Sequence, residues 1–108
     1  MFKILIALSL FLAVQCQLMA GFVDRPDLVQ SPTTKLMVKA AVTELAKTQN
    51  IEVTPIDVYS VATQLVNGLN FRIVFSAHHS ASENIVFCTA KVYQAFNGQR
   101  SVNSVECA

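Results

Sequence analysis

Glycine is scarce in this chain. Its three glycines, Gly21, Gly68 and Gly98, lie far apart, so no glycine-rich loop can gather backbone N–H groups around a phosphate. Charge is also sparse, at 14% of 108 residues. Eight residues are basic and seven acidic; without Lys3, which falls in an N-terminal segment expected to be removed, seven face seven. A net charge of zero offers no basic patch to nucleic acid and no polybasic anchor to a membrane. No Asn-x-Ser/Thr sequon, internal repeat, low-complexity stretch or interdomain linker occurs. The length fits one domain.

Catalytic sets are missing as well. His78 and His79 are adjacent, in a polar stretch read as a solvated loop, and no third or fourth ligand stands at metal-binding spacing. A Cys–His nucleophile pair needs a free thiol, and the cysteines have a better use, given below. Asp24, Asp27, Glu44, Glu52, Asp57, Glu83 and Glu106 are scattered. The expectation is a protein that is not an enzyme and carries no metal or cofactor.

The apolar residues that are present cluster first at the start. Residues 4–14 run ILIALSLFLAV behind a short basic end containing Lys3. That run is too short for a helix across a hydrocarbon core of about 30 Å. It fits the apolar region of a secretory signal peptide, the alternative being a buried or membrane-anchoring helix. Cleavage can follow Cys16, with Val14 at −3, or Ala20, with Leu18 at −3. The first is expected, giving a signal peptide of 1–16, a domain of 17–108 and a secreted, extracellular product. The three cysteines then become two, Cys88 and Cys107. In an oxidising compartment an even pair implies one disulfide; two free thiols or half a metal site is the alternative.

Periodicity divides the rest. Residues 21–30 read as a short strand or extended arm leading into a turn. Ser31-Pro32 marks a helix start, with Ser31 as N-cap and Pro32 at the first helical position, where its missing N–H is no loss. Val38, Ala41, Val42, Leu45 and Ala46 recur at helical spacing, with lysines mostly opposite, and Gln49-Asn50 and Pro55 end the helix. Strands are expected over 58–66, around Phe71, Ile73 and Phe75, over 85–95 and over 100–106. Asn67-Gly68 and Asn97-Gly98 lie between them, the dipeptide favoured in type I′ hairpin turns, whose two central residues both need φ > 0. The expected class is α+β: a single helix packed across a twisted antiparallel β-sheet of four to five strands.

One motif remains. Gln64-Leu65-Val66-Asn67-Gly68 fits Q-x-V-x-G and falls at the first hairpin tip. Here the chain resembles the cystatins. Leu18-Met19-Ala20-Gly21 is similar to that family's N-terminal Leu-Val-Gly-Gly-like segment, and Cys88 with Cys107 matches the C-terminal disulfide of its secreted members. The resemblance covers nearly all of 17–108. A second disulfide usual in secreted cystatins has no cysteines here. The second hairpin usually presents Pro-Trp; this chain has no tryptophan, and Ala95-Phe96 takes that place.

The resemblance implies a reversible, non-covalent inhibitor of papain-like cysteine endopeptidases of the cathepsin L or B type, acting as a monomer. Leu18, Met19 and Gly21 would form an arm. Gln64, Leu65, Val66, Asn67 and Gly68 would form a first loop, and Ala95 and Phe96 a second. The three would plug the protease cleft together. Each piece also has a plainer reading: a stable hairpin, a flexible joint, a Phe96 tucked into the core. The alternative function is a secreted protein of the same fold that binds another ligand or serves structurally, having lost inhibition.

Overall fold

The computed structural model describes residues 21–108; the segment 1–16 expected to be a signal peptide, which includes Cys16, lies outside the described residues, as do Leu18 and Met19. Strand β1 spans Val23–Asp24, and a 3-10 turn at Pro26–Leu28 follows. Arg25 closes the junction: its Nε and Nη2 donate to the Asp27 carboxylate at 3.0 and 2.8 Å. That hydrogen-bonded guanidinium holds the Asp27 carboxyl below its ordinary pKa.

Helix α1 spans Pro32–Gln49 and starts as its sequence dictates. Ser31 is extended, and its Oγ accepts from the Thr33 N–H at 3.2 Å. This satisfies one of the orphan donors of the first turn. At the other end Asn50 adopts φ 57°, and the Asn50 and Ile51 amides reach back to the Leu45 carbonyl. Asn tolerates this left-handed conformation better than most residues. Between the caps, Thr34, Met37, Val38, Ala41 and Leu45 are buried, a stripe at three- and four-residue spacing.

Four strands follow as an antiparallel meander: β2 Val53–Val66, β3 Gly68–His79, β4 Ile85–Gln94 and β5 Arg100–Cys107. The sheet order is β1-β2-β3-β4-β5. Phe71, Ile73 and Phe75 alternate onto the face beneath α1, joined by Val61, Ala90, Val92 and Val105. Among the described residues, five strands and one α-helix thus form the expected α+β arrangement.

Three expectations need correction. Strand β2 begins five residues before 58, and Pro55 lies within it instead of ending the helix. β1 pairs only with Ala62 and Thr63, so the first half of β2 is an edge, where proline is tolerated. His78 and His79 belong to β3, paired with Thr54 and Val53; they do not lie in a loop. Neither Asn-Gly turn is type I′. Among the described residues Asn50 is the one non-glycine with positive φ, so Asn67 and Asn97 supply no left-handed residue.

Cys88 and Cys107 are directly opposite on β4 and β5 and form a disulfide. Cys88 is fully buried in the core. The bridge closes 19 residues of sequence separation, so the chain-entropy model gives it about 3 kcal/mol of stability. Denatured, unreduced secreted protein should titrate no thiols, and Cys107→Ala should lower the unfolding free energy by about that amount in urea melts. Two reactive thiols would refute the pairing.

Candidate functional site

The meander places its turns alternately at two ends of the sheet. The β2–β3 and β4–β5 turns share one end, and the chain enters β1 there too. The register makes this explicit. Val66 pairs with Gly68, Leu69 with Gln94, and Gln94 with Arg100. Val23 pairs with Thr63, and a shallow hollow of about 410 Å³ between arm and first hairpin is lined by Gly21, Val23, Gln64, Leu65 and Leu69. Gly21, the Gln64 to Gly68 segment and the Ala95–Phe96 turn therefore lie side by side. Leu18 and Met19 would precede Gly21, outside the described residues.

The first hairpin is tight. Asn67 alone separates the paired Val66 and Gly68. Leu65 is 75% exposed and Val66 41% exposed. Below them, Gln64 is cross-strand to Asn70, whose Nδ2 donates to the Gln64 Oε1 at 3.1 Å.

Gly68 has a reason beyond the turn. Its φ is 123°, and a Cβ there would sit 2.6 Å from the Gln94 carbonyl oxygen and 2.7 Å from the Tyr93 hydroxyl. Strand β4 therefore packs against bare backbone. Tyr93 covers the glycine, and its hydroxyl donates to the Asn67 carbonyl. One side chain of the second hairpin thus holds the tip of the first.

The second turn is a three-residue loop. The Gly98 amide donates to the Ala95 carbonyl at 3.0 Å and the Ala95 amide to the Gln99 carbonyl at 2.8 Å. Gly98 takes φ 91°, the pattern of a type I turn closed by a left-handed glycine. Asn97 contributes through its side chain: Oδ1 accepts from the Gln99 amide at 3.0 Å. This loop carries Phe96 into solvent at 77% exposure, so Phe96 is not a core residue. Ala95 is half-buried beside it.

The root of the arm is held on the sheet face opposite α1. The Arg72 guanidinium lies 4.7 Å from the centroid of the Phe22 ring, a cation–π contact. Tyr93, Phe22 and Arg72 escaped the sequence reading. Tyr93 and Arg72 sit in alternating strands like many others, and only the cross-strand register brings them to this edge.

Among the described residues no three His, Cys, Asp or Glu side chains cluster to hold a metal. None of the described helices is long and apolar enough to cross a membrane. Among the described residues, the tips of this edge carry apolar or neutral side chains, Leu65, Val66 and Phe96 being exposed.

No protein-family model matches the chain, and no curated protein matches it in sequence. Solved structures do match. A gut cystatin of the hard tick Ixodes ricinus, mialostatin, superposes with a TM-score of 0.68 at 18% identity, covering 82% of this chain and 97% of that one. A salivary cystatin of the soft tick Ornithodoros moubata gives a TM-score of 0.64 at 21% identity, over 82% and 96%. One helix laid on a five-stranded antiparallel meander, matched over nearly the full length of both tick proteins, gives this chain the cystatin fold.

Proposed function

We propose that this protein is a secreted, reversible inhibitor of papain-like cysteine endopeptidases, and not an enzyme. The observation that carries the reading is the alignment at one sheet end of Gly21, the Gln64-Leu65-Val66-Asn67-Gly68 hairpin and the Ala95–Phe96 turn. In the cystatins, which this chain resembles, the corresponding three segments fill a V-shaped cleft. The physical features fit that role. Exposed Leu65, Val66 and Phe96 can be desolvated with little polar cost. The tips are tied by Tyr93 and by the Asn97 side chain, so little ordering entropy is lost on binding. A blunt edge in the cleft presents no scissile bond in attack geometry, so inhibition is steric and non-covalent. Leu18 and Met19 would add anchoring side chains in substrate subsites. The gut and salivary tick proteins of the same fold accord with a secreted product.

Titration against papain and a cathepsin L-like enzyme tests this, using protein purified from secretion whose intact mass gives its first residue. Cleavage after Cys16 retains the arm; a chain starting at Gly21 would remove the arm anchors. Deleting 17–20 should weaken inhibition by about tenfold, as for losing one or two modest anchors. Phe96→Ala should cost less, because a lone exposed ring has no pocket of its own. Phe96→Trp should tighten the complex by adding contact area and an indole N–H. Absence of inhibition at micromolar concentration would instead favour a binding or structural role on the same fold.

A further inference from the structure

Away from the edge, the described residues enclose a larger hollow of about 510 Å³ between α1 and the first half of β2. Its origin is local. The β2–β3 register shifts between Pro55 and Asp57 and again between Val58 and Ser60, and such bulges bend a strand and re-aim its side chains. Here they leave a groove under the first half of the helix. Val29, Val38, Ile56, Val58 and Phe75 line it. Val38 and Phe75 belong to the core, whereas Ile56 remains 49% exposed. The volume lies within the range of small-molecule sites, about 300–1,000 Å³.

The rim is charged in an unfavourable way for the free protein. Lys35 and Lys39 both line the groove and stand one helical turn apart, where like charges repel. Lys35 lies at the start of α1, whose first turn contains no acidic residue, so a cation faces the positive end of the helix dipole. Among the described residues the one ion pair is Arg25–Asp27; neither lysine is paired. Asp57 lines the strand side, leaving the rim with a net single positive charge. An apolar trough with two unpaired cations at one lip matches an anion with an apolar tail.

We infer that this groove binds a fatty carboxylate, its chain between α1 and β2 and its headgroup on Lys35 and Lys39. The groove is independent of the protease-facing edge. Val58 is eight residues from Val66 along β2, about 25 Å at strand rise, so both can be occupied at once.

The test is an NMR titration of the ¹⁵N-labelled secreted protein with sodium dodecanoate below its micelle threshold, and with dodecyltrimethylammonium as a cation of equal tail. Saturable shifts are expected at the amides of Lys35, Lys39, Ile56 and Val58, with tighter binding of dodecanoate. Lys35→Gln/Lys39→Gln, at two exposed positions whose fold circular dichroism can verify, should weaken dodecanoate about tenfold and should not weaken the ammonium compound, whose headgroup the lysines repel. Papain inhibition should be the same with and without dodecanoate. Equal affinity for the two amphiphiles, an unaffected double variant, or no saturable shift would overturn the assignment. Shifts seen only with anionic vesicles would also overturn it, in favour of a membrane surface.

Discussion

Val66→Asp should abolish useful inhibition, weakening the complex by about 4 kcal/mol, or roughly a thousandfold. Val66 sits beside the hairpin tip, paired with Gly68 and 41% exposed. A carboxylate there is solvated in the free protein, so the fold should tolerate it. In a protease cleft the same group would be buried without a partner, and an uncompensated charge costs several kcal/mol. Inhibition constants against papain, with circular dichroism confirming the fold, decide the matter. If the folded variant inhibits as well as the parent, the first hairpin is not inserted and the proposed mechanism fails, although the fold is unaffected.

Gly68→Val should be the most damaging single change at the edge for stability, costing about 4 kcal/mol. Two effects combine. A β-branched residue at φ 123° is strained, by about 1–3 kcal/mol. Its Cβ would also meet the Gln94 carbonyl oxygen at 2.6 Å and the Tyr93 ring at 2.9 Å, and overpacking of this kind costs about 1–3 kcal/mol. Chemical denaturation measures the sum. A double-variant cycle separates the causes: in a Tyr93→Ala background Gly68→Ala should cost less, because part of the clash has gone, while the backbone part stays. Equal costs in both backgrounds would mean that Tyr93 does not constrain the tip.

Much of the fold could be read from local chemistry. Ser31-Pro32 marked the helix start because a hydroxyl acceptor and a residue without an N–H suit only that place. Phe71, Ile73 and Phe75 revealed the buried face of β3 because nothing interrupts the period of two. The Q-x-V-x-G run could be placed at a tip because Asn67-Gly68 punctuates two apolar segments. The failures have physical causes too. Residues 53–57 of β2 do not read as strand because Pro55 signals a break and the bulge at Ile56 resets the alternation that identifies a strand. The turn types were misjudged because Asn-Gly was expected to supply two left-handed residues. In the second loop, Asn97 serves by its side chain and Gly98 alone by its backbone. Tyr93 was invisible because its task depends on which strand lies beside Gly68.

Strand β1 contributes only two residues, and its partners Thr63 and Ala62 are 40 and 38 positions further along the chain. Every other strand pair joins consecutive segments of the meander. Closing so long a loop yields little until the rest is in place. The meander and helix can therefore assemble first, and the arm docks onto a finished sheet. The same asymmetry governs the native state. Opening β1 breaks a short ladder and the Phe22–Arg72 contact while the core under α1 stays closed, so it is a local excursion, cheaper than global unfolding. The three-part edge is thus two hairpins set by the core plus one detachable segment, and the detachable segment is the one that leads to Leu18 and Met19.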